Sequence, residues 1–507
     1  MRLSNTLPSG SPRRSNRSST GSDATPLAAQ LLRPLGIPLV GEGAMMLLCL
    51  VPSLHFADGT WRSILLSGLL TLCVGCLLLL SFPRLQGRAD RRAPYLIVTL
   101  VWVVLTFFGT LPFLSTGSVT HWSDAIFESC SGISSCGGTV IANVEALPPS
   151  VLLWRSMTQW IGGFGIVLMV LAIVPTLGIS KYALYAAEAS AADNTSGRST
   201  RVGTTIRRTL TVYVALTLIF VVLLLHSGMH LWDAVNLVFT NISSGGFSIY
   251  NDSLQSVTHA QQFILAGAMF CSGLNFTLLF YVLSFRFRQI RHKLDQFSFY
   301  LATTLVASLA VAVALHGQMG YPWVDALRCA TVQTISVITT SGSLVADTSL
   351  WWTPILFFFV ILSLCGAMAG STSGGLKSMR VLILLRNVRN SLRNRLHPSA
   401  VNPVRLNGQP VSSEMLNNVM VIFFVFLFVS IVGVLLLMLS GVNATEAFGA
   451  CIACITGYGP GLGASGGFGC YADFTTAAKW IASLLMILGL LECLTVLILF
   501  TRNFWRH

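Results

Sequence analysis

Charged side chains are what this sequence has least of. Asp, Glu, Lys and Arg make up 10% of its 507 residues, where soluble domains carry about 25%. With 53% hydrophobic residues and a mean hydropathy of +0.73, the apolar surface is too large to hide inside one soluble core. That predicts a polytopic membrane protein. Acid is the scarcer sign: 18 Asp and Glu stand against 31 Lys and Arg, a net charge of +13. The basic surplus sits in short loops between apolar runs and not on a soluble domain, so no nucleic-acid partner is expected. Twelve cysteines are too few and too scattered for a disulfide framework. Cys73/Cys76 and Cys451/Cys454 have CxxC spacing but lie in apolar runs without His or acidic neighbours, as small packing residues do and zinc ligands do not. The nine His residues stand singly, whereas an enzyme needs a convergent acid/base or metal cluster. No apolar segment opens the chain; residues 1–30, rich in Ser and Arg, read as a disordered cytoplasmic tail and not a signal peptide.

What is abundant is apolar sequence of membrane-spanning length, about 20 residues per helix. Such runs lie near residues 35–55, 62–83, 94–115, 151–175, 207–228, 260–284, 297–316, 353–382, 416–440 and 475–500. Basic clusters at Arg84 to Arg92, Lys181 to Arg208, Arg286 to Lys293 and Lys377 to Arg405 are each separated from the next by two runs. The positive-inside rule places all of them, and both termini, on the cytoplasmic side.

Four outward connections are long, weakly charged and rich in Gly, Ser and Thr. Each opens on an acid followed by Ala: Asp124-Ala125, Asp233-Ala234, Asp325-Ala326 and Glu446-Ala447. A short apolar helical stretch follows, then a glycine turn. Aligned on that turn they read Ser134-Ser135-Cys136-Gly137, Ile242-Ser243-Ser244-Gly245, Thr339-Thr340-Ser341-Gly342 and Thr456-Gly457-Tyr458-Gly459. The glycines are 108, 97 and 117 residues apart (245−137, 342−245, 459−342), which predicts a four-times-repeated helix–re-entrant loop–helix unit. One such loop is a turn; four at matched positions argue for a shared axis, because non-helical backbone is tolerated at membrane depth only where it is buried or lines a water-filled cavity. The acid at each helix start suits the positive end of its dipole, and the carbonyl ends then face inward, favouring a cation. Gly lets the backbone turn carbonyls to the axis. No Asp or Glu occupies the four turns, which argues against a divalent-selective carboxylate ring and for a monovalent cation.

These residues resemble the Trk/Ktr/HKT superfamily of potassium transporters, and most of all its TrkH-type subunits, from about residue 35 to the C-terminus. The resemblance rests on "FESCSGISSCGGTVI" (127–141), "LLWRSMTQWIGGFGIVLMVLAIVP" (152–175), "ISSGGFS" (242–248), "SGLNFTLLF" (272–280), "VQTISVITTSG" (332–342), "GAMAGSTSGGLKSMRVLILLR" (366–386), "GPGLG" (459–463) and "LGLLE" (488–492), which occur in the family's order. It implies an all-α polytopic membrane protein with four tandem helix–pore loop–helix repeats around a pseudo-fourfold pore, preceded by two extra transmembrane helices. The expected division is a tail (1–30), two helices (31–85), and repeats at 86–177, 178–290, 291–400 and 401–507. It further implies that each repeat supplies a quarter of a potassium filter, with Gly137, Gly245, Gly342 and Gly459 marking the site. Relatives that favour sodium often carry Ser at the first of these, so Gly137 argues for potassium uptake across the cytoplasmic membrane; symport coupled to sodium or protons is the alternative.

"GSTSGGLKS" (370–378) nearly fits a phosphate loop, but Leu376 intrudes before Lys377 and a membrane helix precedes it, so no nucleotide is expected on this chain. The resemblance implies an intramembrane gate of Gly370, Ser371, Thr372, Ser373, Gly374, Gly375 and Lys377; a kink used for helix packing is the competing reading. It also implies a homodimer and a cytosolic, nucleotide-binding ring of the TrkA/KtrA type. Two positions depart from the family: Leu490 replaces its usual Arg between Gly489 and Glu492, and Cys136 stands where Thr is common. Among charged residues in or near spans, Glu128 is expected to brace the first turn, Glu42 and Glu492 to pair within the bundle, Asp252 and Asp347 to face the outer mouth, and Arg155 to snorkel to the interface. The Asn241 sequon lies inside a turn and is discounted.

Overall fold

The computed structural model describes residues 27–82, 92–173, 198–287, 294–397 and 402–506. The fold is helical, with one short hairpin pairing Arg405–Leu406 to Gln409–Pro410. Helices α1 (Leu27–Leu48) and α2 (Trp61–Ser81) form a tight pair. Glycine makes the closeness achievable: a Cβ on Gly43 would stand 2.7 Å from the Leu72 nitrogen, and one on Gly75 2.8 Å from that of Val40, the small-residue contact membrane helices use. Most of the expected tail lies outside the described residues, but its last four, 27–30, already belong to α1.

The rest follows one pattern four times. A long helix leads to a short one, a turn, and an exit helix. The first round is α3 (Ala93–Gly109), α4 (Trp122–Ile133) and α5 (Pro149–Ile173). The second is α6 (Arg198–His226), α7 (Leu231–Ile242) and α8 (His259–Ser272) running into α9 (Phe276–Leu283). The third is α10 (Leu294–Met319), α11 (Trp323–Ile338), α12 (Thr353–Cys365) and α13 (Ser378–Leu396). The fourth is α14 (Ser413–Leu439), α15 (Ala444–Thr456) and α16 (Thr476–Leu490). Every short helix carries its acid in the first turn, Asp124, Asp233, Asp325 and Glu446, where the dipole favours it.

Three of the ten expected spans are not continuous helices. The 260–284 run bends by 112° between α8 and α9, and the 475–500 run by 104° after α16. At the first break the Asn275 side chain accepts from the Thr277 and Leu278 amides at 2.8 and 3.3 Å, starting a new helix as an N-cap does. At the second, Glu492 and Cys493 adopt φ of 56° and 51°. The 353–382 run splits into α12 and α13 around an irregular loop at 366–377. Six described helices are long and apolar enough to cross a membrane, or eight if each bent pair counts as one. Leu66, Leu80, Val306 and Phe428 stand more than half exposed on the outer faces, as lipid-facing side chains do, and the chain is a multi-pass membrane protein.

Candidate functional site

The four turns have the same backbone. An amide donates five residues back in each: Cys136 to Ser131 (2.9 Å), Gly245 to Thr240 (2.9 Å), Ser341 to Ser336 (2.8 Å) and Tyr458 to Ala453 (2.9 Å). One residue before this donor φ is positive, at Ser135, Ser244, Thr340 and Gly457, and one residue after it is positive again, at Gly137, Gly246, Gly342 and Gly459. This corrects the second register by one residue. The equivalent quartet is Ser243-Ser244-Gly245-Gly246; Ile242 is the last residue of α7, and Gly246, not Gly245, matches the other three glycines. Adjacent glycines carry no sign of which one turns left-handed; only φ distinguishes them.

The turns meet around a closed ring. A Cβ on Gly137 would lie 1.9 Å from the Gly245 carbonyl oxygen, one on Gly246 1.7 Å from that of Ser341, one on Gly342 2.2 Å from that of Tyr458, and one on Gly459 2.5 Å from that of Cys136. Each fourth position rests on the third-position carbonyl of the next turn, and the last returns to the first. No side chain fits at any of these contacts, and positive φ disfavours one as well. The first-position hydroxyls face backwards: Ser243 donates to Thr240 O at 2.9 Å, Thr339 to Ile335 O at 2.7 Å and Thr456 to Ile452 O at 2.7 Å. Donating into its own helix leaves each hydroxyl oxygen with acceptor capacity, part of which Thr339 spends on the Ser341 hydroxyl at 3.0 Å.

A buried frame holds the ring. Glu128 accepts from Thr139 Oγ1 at 2.9 Å, the Val140 amide at 3.0 Å and Arg155 Nε at 2.8 Å. Arg155 does not snorkel: it is 2% exposed, donates to Ser248 O at 3.0 Å and lies 4.1 Å over the Phe247 ring. It joins the first turn to the second, because a guanidinium beside a buried carboxylate is held there by charge-assisted hydrogen bonds. Gln333 takes the Glu128 place in the third repeat, eight residues before the ring carbonyl in both (136−128, 341−333); it accepts from Val345 N at 3.3 Å and donates to Tyr458 Oη at 3.3 Å. Gln159 accepts from Phe247 N at 3.0 Å, and Tyr471 donates to Gly459 O at 2.7 Å. Gln159, Gln333 and Tyr471 escape a sequence reading; the matched offset of Glu128 and Gln333 is the one available signal. Asn241 is buried and accepts from Ser343 Oγ at 2.8 Å.

The 366–377 loop packs against three of the turns. Thr372 Oγ1 is 2.7 Å from Ser244 Oγ, the Gly374 amide donates to Thr340 Oγ1 at 2.7 Å, and a Cβ on Gly374 would lie 1.9 Å from Thr456 O. Gly370 O accepts from the Phe276 amide at 3.1 Å, Ser371 and Ser373 hydroxyls meet at 2.8 Å, Gly375 and Lys377 both have φ of 70°, and Lys377 Nζ donates to Ser373 O. One turn on, Arg380 Nη2 pairs with Glu492 at 2.6 Å, so the loop's exit helix is tied to the break after α16. Glu492 thus has the bundle partner expected of it. Glu42 does not: neither carboxylate oxygen has a hydrogen-bond partner among the described residues. Asp347 caps its own turn through Ser349 N at 3.0 Å, and Asp252 accepts from Ser256 Oγ at 3.0 Å. Among the described residues no group of three or more His, Cys, Asp or Glu could hold a metal ion; the oxygens gathered at the ring are carbonyls and hydroxyls.

A family model described as TrkH, cation transport protein, matches residues 62–506. The Trk system potassium uptake protein TrkH of Halomonas elongata is 32% identical over 483 residues, covering 94% of this chain and 99% of the relative. The protein of the same name in Escherichia coli K12 is 31% identical over 485 residues, with the same coverage. Among solved structures, the potassium transporter TrkH from Vibrio parahaemolyticus aligns with a TM-score of 0.86 at 29% identity, over 94% of this chain and 99% of that one.

Proposed function

The chain belongs to the TrkH family of cation transport proteins, and on that premise we propose that it takes up potassium across the cytoplasmic membrane, with both termini inside, through a channel-like pore selected at the ring. It is a transport protein, not an enzyme. The observation that carries the reading is the closure of the four turns on glycine, each against the next carbonyl oxygen. A filter replaces a hydration shell with oxygens fixed in place, and the ring offers the carbonyls of Cys136, Gly245, Ser341 and Tyr458 with hydroxyls of Ser243, Thr339 and Thr456 behind them. The same chemistry favours uncoupled permeation, since the four turns carry no carboxylate, imidazole or amine on which a proton-coupled step could turn. The ring's oxygens are neutral, which suits a monovalent ion.

The 366–377 loop serves as the gate in this reading: it contacts Ser244 and Thr340 and abuts the Thr456 carbonyl, so its movement is felt at three of the four turns. A homodimer and a cytosolic nucleotide-binding ring of the TrkA/KtrA type complete the proposed assembly, with nucleotide acting on the partner. The test is rubidium uptake into proteoliposomes and rescue of a potassium-uptake-deficient bacterium at low potassium, with the chain alone and with Gly459→Ser. Wild-type uptake lost in an equally expressed Gly459→Ser supports the filter; equal uptake by both would remove the fourth turn from it.

A further inference from the structure

The seam between the first and fourth turns holds a cluster of thiols that the transport reading leaves unused. Cys130 and Cys136 come from the first repeat, Cys451 and Cys454 from the fourth, and all four are buried and unbridged. Two are committed elsewhere: Cys130 donates to Ser483 O and Cys451 to Ser430 O, both at 3.3 Å. Cys136 and Cys454 instead face one another across the seam. Cys136 Sγ also contacts Ala453 O, the carbonyl immediately before Cys454, at 3.6 Å. Both residues border the ring: the Cys136 carbonyl is the one Gly459 rests on, and the Tyr471 hydroxyl beside Cys454 is the donor to Gly459 O.

We propose that Cys136 and Cys454 form a two-coordinate site for a soft monovalent cation, Ag+ or Cu+, directly behind the ring, and that filling it blocks transport. Thiol sulfur selects soft ions of this class over potassium. Among the described residues no group of three or more His, Cys, Asp or Glu is placed to hold a metal ion, which argues against a tetrahedral zinc-type cage and leaves binding between two sulfurs. The balance is simple. The cation replaces the proton on one thiol, forming one metal–sulfur bond; the second thiol binds through a lone pair; the released proton leaves to water. Two neutral thiols plus one cation minus one proton is neutral, which a buried site demands because an uncompensated charge there is costly. Drawing the two sulfurs together pulls on Cys136, whose backbone is part of the ring, and crowds Tyr471 off Gly459. The proposal rests on the transport reading only for the ion's route to the thiols and for the block.

The test uses the full chain in proteoliposomes. Rubidium uptake is titrated with Ag+ for wild type, Cys454→Ala and Cys73→Ala, and silver retained per chain after desalting is measured by elemental analysis. Cys454→Ala is expected to transport like wild type, need at least about tenfold more Ag+ for half-block, and retain less silver; Cys73→Ala, altered at an exposed thiol, keeps wild-type block. Equal block and equal retained silver in Cys454→Ala would overturn the site while leaving transport intact. If wild type does not take up rubidium, the transport reading fails, and retained silver alone decides the thiol site. Cys454→Ser, with a hard oxygen in place of sulfur, substitutes should the alanine variant not fold.

Discussion

Arg155 and Glu128 sit at 2% and 0% exposure, 2.8 Å apart, inside a protein with few charges to spare. Removing a charged pair from water costs several kcal/mol per ion, and their attraction offsets this only when the remaining donors and acceptors are also matched. Here they are: Thr139, Val140 and Ser248 complete the set. The consequence is asymmetric. Arg155→Met strands a buried carboxylate and should lower stability by about 3–5 kcal/mol, read as a fall in thermal unfolding temperature in detergent. Arg155→Met/Glu128→Gln, which removes both charges, should recover part of that loss. If the double variant is as unstable as the sum of the singles, the pair is not acting as a unit. Glu42 is the counter-example, a buried acid without a hydrogen-bond partner among the described residues, and no role in the ring follows from its position.

At the scale of elements, the loop between α12 and α13 is held by contacts that tolerate no added atom. Gly374 stands against the Thr456 carbonyl at a distance no Cβ can accept, so Gly374→Ala must push the loop away from the fourth turn. If the loop is the gate, this variant should raise rubidium flux in the absence of any cytosolic partner; unchanged flux would mean the loop only packs. A second junction lies where α1 connects to α2. Partial burial pushes the Asp58 carboxyl up, but hydrogen bonds from Ser53, Thr60 and Ser150 outweigh it and hold the group at about 2. A carboxyl depressed below its unfolded value of about 3.9 contributes stability above that pH and loses it as pH falls toward 2. Asp58→Asn should therefore be less stable than wild type at neutral pH, with the difference shrinking between about pH 4 and pH 2, as measured by thermal unfolding across that range.

The whole molecule is decided by how four turns close on one another. Not every glycine in them matters equally. Gly457 has φ of 73° but nothing within 4 Å of a Cβ, and its equivalents are Ser135, Ser244 and Thr340 at φ of 53°, 58° and 54°. Gly457→Ser should keep most transport, whereas Gly246→Ala, whose Cβ would meet Ser341 O at 1.7 Å, should abolish it. Loss of transport in Gly457→Ser together with its retention in Gly246→Ala would reverse the register assigned to the turns.

Membrane residence, the position of the apolar runs, the four acid-led short helices and the family resemblance were all legible in the sequence. Each depends on hydropathy over about 20 residues or on a local pattern that recurs along the chain. Three features were not. The second turn's true glycine depends on which of two neighbours takes positive φ, and Gly246 takes it because the carbonyl of Ser341, almost a hundred residues away, leaves no room for anything else. Arg155 is inside because Glu128, Ser248 and Phe247 from two repeats meet it there; alone on an apolar helix it reads as an interfacial charge. The breaks at 273–275 and 491–493 lie in apolar runs long enough for a span, and are held by Asn275 capping α9 and by Arg380 reaching Glu492. Hydropathy is a sum over neighbours in sequence and fixes what enters the membrane; ring closure, charge pairing and helix breaking are contacts between distant segments, which only the tertiary structure brings together.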